Sequence, residues 1–259
     1  MNFLSHKEKQ LSKKFFNQGY IISEVEKKKS LQYILSLTKK SIYKIIKKKV
    51  NNFNYLHNYV NIKDLNDFRV ELIHNINKDK KFRFHYFCLS RGLVNALVGN
   101  ELMMQNKINL SIQFPDDASS LLPIHSDVWS GDSPYEINLW VPLVNCYKTK
   151  SMYILKGKYR EDYYNSKHKK KFSNNSNEIY SLLKKKLIWL KVNKGQTLLF
   201  DQTLPHGNII NAENETRISM NCRFKSIFSP YADKKIGEYF TPISMRVMTD
   251  IGNNFNYPF

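Results

Sequence analysis

The chain has little that would tie it to a membrane or to an oxidising compartment. No stretch of its 259 residues approaches the roughly 20 apolar positions of a spanning helix. The opening Met-Asn-Phe-Leu-Ser-His-Lys-Glu-Lys-Gln lacks the apolar run of a signal peptide. A cytoplasmic protein with no membrane span is expected. Cysteine is scarce: Cys88, Cys146 and Cys222 are odd in number and share no metal-type spacing, which excludes a disulfide framework and a zinc ribbon and predicts packed free thiols. Acid is also scarce, with 22 Asp and Glu against 41 Lys and Arg and a net charge of +19. That excess is mostly lysine, in runs such as Lys27 to Lys29, Lys47 to Lys49, Lys169 to Lys171 and Lys184 to Lys186. Base recognition interleaves arginines or aromatics with basic residues, and these runs do not. They predict solvated faces and no nucleic-acid partner, while a small anionic substrate such as a sugar nucleotide or phosphate stays compatible.

What is present is a soluble composition, 42% hydrophobic and 24% charged, long enough for one main domain with a sizeable core. Residues 1–80 read as a helical packing region. Ser23 to Val50 places Val25, Leu31, Ile34, Leu35, Ile42, Ile45 and Ile46 at helical spacings, and Asp64 to Asn77 repeats the pattern with Leu65, Phe68, Leu72, Ile73 and Ile76. A further short helix is expected from near Leu93 to Gln105.

After Asn106 the period becomes two. Leu110, Ile112 and Phe114 alternate with Asn109, Ser111 and Gln113; Ile137, Leu139 and Val141 alternate with Glu136, Asn138 and Trp140; Ile218, Met220, Cys222 and Phe224 oppose Arg217, Ser219, Asn221 and Arg223. These are strands, and residues 195–202 add a fourth. The expected architecture is mainly β with N-terminal helices, an antiparallel sandwich or barrel. The polar faces carry Asn, Ser, Gln, Trp and Arg, residues suited to lining a pocket. A core over 81–228 is interrupted by a charged insertion at 158–186, and an aromatic-rich tail, 229–259, packs on the core.

Chemistry concentrates at His125-Ser126-Asp127. Residues two apart on an extended strand share a face, so an imidazole and a carboxylate can aim at one point. Alone, the pair is equally a hydrogen-bonded strand end. A facial triad for non-haem Fe(II) needs a second, distant histidine and leaves positions open opposite the protein ligands; His206, just beyond the fourth strand, supplies it. Activation of O2 with a 2-oxo acid also needs a cation for the acid's far carboxylate, and the planar fork of arginine pairs with it best. Arg217 stands eleven residues after His206, with Ser219 two further on the same face. The competing reading of Arg217 is a structural pair with Glu213 or Glu215. His57, His74, His85 and His168 show no partner spacing.

The order His125-x-Asp127, Ser151 to Leu155, Gly195 to Phe200, His206-Gly207 and Arg217-x-Ser219 resembles the Fe(II)- and 2-oxoglutarate-dependent oxygenases of the phytanoyl-CoA dioxygenase type. The stretches INLSIQFP, SSLLPIHSDVWSGDSPYEINLWVPLV and KSMYIL look like the subgroup found in bacterial surface-carbohydrate gene clusters. The likeness spans about residues 90–228. It implies a double-stranded β-helix, with His125, Asp127 and His206 on Fe(II) and Arg217 with Ser219 on 2-oxoglutarate. Gln113, Asn138 and Trp140 lie on inferred inner faces, where they contact 2-oxoglutarate or substrate or else sit in a satisfied polar core. Trp129, Asp132 and Tyr135 fall in the loop where a small polar substrate, a sugar by this resemblance, would approach; loop packing is the alternative. Relatives often have a Pro-Gly-Ser-His turn where this chain has Lys156-Gly157-Lys158-Tyr159, so contacts from that turn do not transfer. Asp127 argues against halogenation, which in such relatives goes with a small residue there. Two other functions share the scaffold: a nucleic-acid demethylase, favoured by net charge alone, and a carbohydrate-binding barrel without competent metal.

Overall fold

The computed structural model describes residues 3–168 and 175–256. A capped helix α1 (His6–Gln18) ends at Gly19, whose φ of 81° is the left-handed conformation that suits glycine. Then follow β1 (Tyr20–Glu24), α2 (Lys28–Ile46), α3 (Leu65–Asn77), α4 (Phe82–Phe87), α5 (Arg91–Val98), β2 (Leu102–Gln105), β3 (Asn109–Gln113), β4 (Glu136–Pro142) and β5 (Tyr153–Leu155). The second half contains α6 (Arg160–His168), α7 (Ser176–Leu183), β6 (Leu187–Trp189), β7 (Gln196–Phe200), β8 (His206–Gly207), β9 (Arg217–Ser226), β10 (Phe240–Ser244) and α8 (Val247–Asn253). No helix among the described residues is long and apolar enough to cross a membrane.

The larger sheet has seven antiparallel strands in the order β1-β7-β4-β9-β2-β10, with β3 also on β9. Strand β9 is its spine: β4 runs along one edge, while β3 and β2 take successive halves of the other. A smaller sheet orders β6-β5-β8. Ile154 and Leu155 of the small sheet join Leu139, Leu199 and Phe224 of the large one in a single buried cluster, which also takes in Ile34, Ile42, Leu65 and Leu72 of the helices. This is the double-stranded β-helix, with α2 and α3 packed on it. The three strands expected from alternation and the fourth expected over 195–202 are present.

Three expectations need correction. The first 80 residues are not wholly helical, because Tyr20 to Glu24 pairs with Phe200 to Gln196 and carries the large sheet's edge. The helix expected from Leu93 to Gln105 stops at Val98 before Gly99 (φ 120°), and Leu102 to Gln105 is a strand between β9 and β10. All four of its residues are buried, which removes the alternation that marks a half-exposed strand. The tail does not merely lie on the core, since β10 adds to the sheet beside β2. The insertion places α6 and α7 either side of residues 169–174, which lie outside the described residues together with the Lys169 to Lys171 run.

Candidate metal centre

His125 and His206 are brought together by backbone pairing. The amide of His125 donates to the carbonyl of His206 at 2.9 Å and the reverse bond is 2.8 Å, so the two imidazoles sit side by side with ring centroids 4.4 Å apart. Gly207 permits this approach, because a Cβ there would meet the Leu122 carbonyl at 2.7 Å and the Tyr153 hydroxyl at 2.8 Å. Asp127 opens a single 3-10 turn, its amide bound to the Gln202 carbonyl.

The imidazoles are set for metal binding. Nδ1 of His125 lies 2.8 Å from the carbonyl of Pro123, and Nδ1 of His206 lies 2.8 Å from that of Leu204. A carbonyl only accepts, so each Nδ1 carries a proton, and Nε2 is the atom each ring can offer to a metal. Both Nε2 atoms are 3.5 Å from the same Asp127 oxygen, Oδ1. Among the described residues these three form the one such group of His, Cys, Asp or Glu, their ligand atoms within 4.8 Å of one another. Two imidazoles and one carboxylate are a donor set that fits Fe(II).

The other carboxylate oxygen, Oδ2, accepts from Arg223 Nη2 at 2.8 Å and from Asn138 Nδ2 at 3.3 Å. Register explains the pair, for Asn138 faces Arg223 across β4 and β9. Burial pushes the Asp127 pKa up, but both histidines and Arg223 outweigh it and hold the group well below the usual carboxylate range. Arg223 is itself fixed on every side. Its Nε donates to Gln202 Oε1 at 3.0 Å and lies 3.2 Å from Asp132 Oδ1, and its Nη1 donates to the Tyr239 hydroxyl at 2.9 Å. Sequence reasoning put Arg223 on the polar face of its strand without giving it a role; the unbroken alternation Arg217, Ser219, Asn221, Arg223 was the signal.

Arg217, at the start of β9, is 3% exposed. It pairs with neither glutamate proposed for it: Glu215 binds Lys150 and Glu213 lies near Lys148. Arg217 donates instead to the Ser151 carbonyl (3.1 Å) and to Ser111 Oγ (2.7 Å), and its buried Nε has no partner. The buried Oγ of Ser219 and Oδ1 of Asn138 are also without one. Unpartnered buried polar atoms are costly; those of Arg217 and Asn138 belong to residues lining one cavity and fit a polar ligand placed there, whereas Ser219 is not among that cavity's lining residues.

That cavity, of about 420 Å³, is lined by His125, Asp127, His206, Arg217 and Arg223, with Asn138, Trp140, Met152 and Phe200 among its walls. Gln113 does not line it; its amide donates to the Ile209 carbonyl. Nor do the three loop residues. Trp129 is 43% and Tyr135 57% exposed, Tyr135 facing a separate groove with Phe16 and Val98. Asp132 is buried in an ion-pair cluster with Arg223 and Lys234. Gly157, in the turn that differs from the relatives' pattern, packs against Gly19 and the Phe16 carbonyl and is not among that cavity's lining residues.

No protein-family model and no curated protein matches the chain. Solved structures do. The nickel complex of the non-heme monooxygenase ThoJ aligns over 91% of this chain and 84% of its own at 13% identity, TM-score 0.52. HygX from Streptomyces hygroscopicus, with nickel and 2-oxoglutarate bound, aligns over 90% of both chains at 10% identity, TM-score 0.52. EvdMO1 gives TM-score 0.57 at 12% identity over 85% of this chain and 50% of its own. The likeness is one of fold.

Proposed function

We propose that the protein is a cytoplasmic Fe(II)- and 2-oxoglutarate-dependent oxygenase that hydroxylates or otherwise oxidises a sugar, aminosugar or nucleotide-linked sugar in carbohydrate assembly. The observation that carries this reading is the convergence of two histidine Nε2 atoms and Asp127 Oδ1, in one cavity with a buried guanidinium whose Nε lacks a partner. The fold shared with ThoJ and HygX and the subgroup resemblance of residues 90–228 support it. Three buried free thiols suit a reducing compartment.

When bound, iron and 2-oxoglutarate together supply the power to oxidise a C–H bond with O2, releasing succinate and CO2. The chain's residues prepare the place. His125, Asp127 and His206 would hold the ion, and the Pro123 and Leu204 carbonyls fix each ring by its Nδ1 so that Nε2 faces the site. Arg223 and Asn138 occupy Asp127 Oδ2 and leave Oδ1 for the ion. Arg217, with Ser219 beside it, takes the far carboxylate of 2-oxoglutarate through its unpartnered N–H. Trp140, Met152 and Phe200 exclude water, which strengthens the electrostatic contacts inside.

The test is to purify the protein without oxygen, add Fe(II) and 2-oxoglutarate, and record the visible metal-to-ligand charge-transfer band. The band is expected in the native protein and lost in His206→Ala. A native protein that takes up Fe(II) and 2-oxoglutarate without any such band would overturn the proposal.

A further inference from the structure

Arg69 lines the same cavity as the histidines, Arg217 and Asn221, although it belongs to α3 of the helical region rather than to the β-helix. It is half-buried. Its one hydrogen bond runs from Nη2 to Asn66 Oδ1, one helical turn back, at 2.6 Å. Among the described residues no carboxylate lies within ion-pair distance of it. Asp127 is the only acid lining the cavity, and Arg223 already compensates it.

Exposure grades along the cavity. Asp127, Asn138, Arg217 and Arg223 are buried, whereas Arg69, Asn109, Asn221 and His125 are half-buried and Ser119 and Leu122 are exposed. The second set therefore marks the opening. Asn109 and Asn221 face each other across β3 and β9, and the amide nitrogen of each is a donor. The mouth thus presents one uncompensated guanidinium among amides and hydroxyls, all able to donate.

Charge counting separates the occupant from the cosubstrate. With Asp127 and Arg223 compensating each other, and Asp132 balanced by Lys234, the cavity keeps the positive charges of Arg217 and Arg69. A divalent ion raises the total to +4 and the two carboxylates of 2-oxoglutarate reduce it to +2. A substrate that enters next meets a surplus of two positive charges in a partly desolvated site, where each counts for more than in water. A phosphoryl group carries about that charge and offers enough acceptor oxygens for a guanidinium fork and neighbouring amides at once.

We infer that the substrate carries a phosphoryl group and that Arg69, with Asn109 and Asn221, binds it at the cavity mouth. The inference rests on the oxygenase reading for the word substrate, but the anion site is measurable without metal. Arg69 reads which molecule enters and takes no part in the chemistry.

The experiment is calorimetric titration of glucose 1-phosphate, inorganic phosphate and glucose into native protein, Arg69→Gln, Arg69→Lys and the exposed control Lys9→Gln. Each is studied metal-free and loaded with Ni(II) and 2-oxoglutarate. Both phosphates are expected to bind native protein and glucose to bind much more weakly. Arg69→Gln should weaken phosphate binding roughly tenfold to a hundredfold, as expected for a lost charged hydrogen-bonded contact. Arg69→Lys should restore part of it, and Lys9→Gln should change it less than twofold. Affinity for 2-oxoglutarate should be the same in native protein and Arg69→Gln. Equal phosphate affinity in native protein and Arg69→Gln would overturn the inference, as would an Arg69→Gln protein that loses 2-oxoglutarate instead. Failure of the loaded state to form at all counts against the oxygenase reading, while the metal-free titrations still decide Arg69.

Discussion

Breaking the ion pair behind the metal centre should give an effect whose sign depends on which partner is removed first. Arg223 Nη2 lies 2.8 Å from Asp127 Oδ2, with side chains only 10% and 7% exposed, so solvent screens the pair little. Arg223→Met strands the Asp127 carboxylate in a dry site, with one 3.3 Å amide contact from Asn138 left on that oxygen. Removing one partner of a buried pair costs about 3–5 kcal/mol. Asp127→Asn is far milder, about 1 kcal/mol, because Arg223 keeps Asp132 at 3.2 Å, Gln202 and Tyr239. Once Arg223 is methionine, however, Asp127→Asn removes the stranded charge and should stabilise the protein by roughly 2 kcal/mol or more. The measurement is urea unfolding of the four proteins with chelator at one fixed pH. If Asp127→Asn changes stability equally in both backgrounds, Arg223 does not compensate Asp127 and this account of the site is wrong.

Two other outcomes follow from the same structure. Burial, with Asp132 adding repulsion, raises the pKa of Glu136 to about 7, against about 4.3 in an unfolded chain. Between those values the folded protein keeps a proton that the unfolded chain has released, so this group costs stability as pH rises, up to roughly 3 kcal/mol, and nothing more above pH 7; Glu136→Gln should flatten the dependence in urea melts from pH 4.5 to 7.5. Arg217→Lys keeps the charge but loses the fork, and should weaken 2-oxoglutarate roughly tenfold or more by calorimetry with metal uptake unchanged; weakening of metal instead would place the cosubstrate elsewhere.

How far the sequence was legible depends on whether a signal was local. His125-x-Asp127 and Arg217-x-Ser219 are readable because a strand puts alternate residues on one face, and His206 because it follows a clear strand. The partners of those residues are harder. Arg223 was visible as part of the alternation, yet its contact with Asp127 is set by the register of β4 on β9, which spans more than 80 residues of sequence. Strand β1 is five residues between two helices, and its partner is β7, over 170 residues away. Leu102 to Gln105 contains helix-favouring Leu and Met and becomes a strand because both its neighbours demand one. Arg69 had no local sign at all: on a helix among exposed polar residues, nothing distinguishes a cavity-facing arginine from a solvated one.

The two arginines of β9 show why position in a motif alone does not assign a role. Arg217 and Arg223 share a strand face six residues apart, roughly 20 Å along the chain at about 3.3 Å per residue, and both reach the cavity. What separates them is the charge already facing each. Arg223 meets Asp127 and Asp132 and directs its donors to Gln202 and Tyr239; a carboxylate arriving there would have to displace a carboxylate. Arg217 meets a carbonyl and a hydroxyl, and burial lowers its pKa, only partly offset by Cys146. An incoming carboxylate therefore gains most at Arg217, where it supplies the missing charge and the missing acceptor together. The same test, applied to the third arginine of the cavity, finds Arg69 uncompensated but half in solvent, which suits a group that must arrive after the cosubstrate and leave after the reaction.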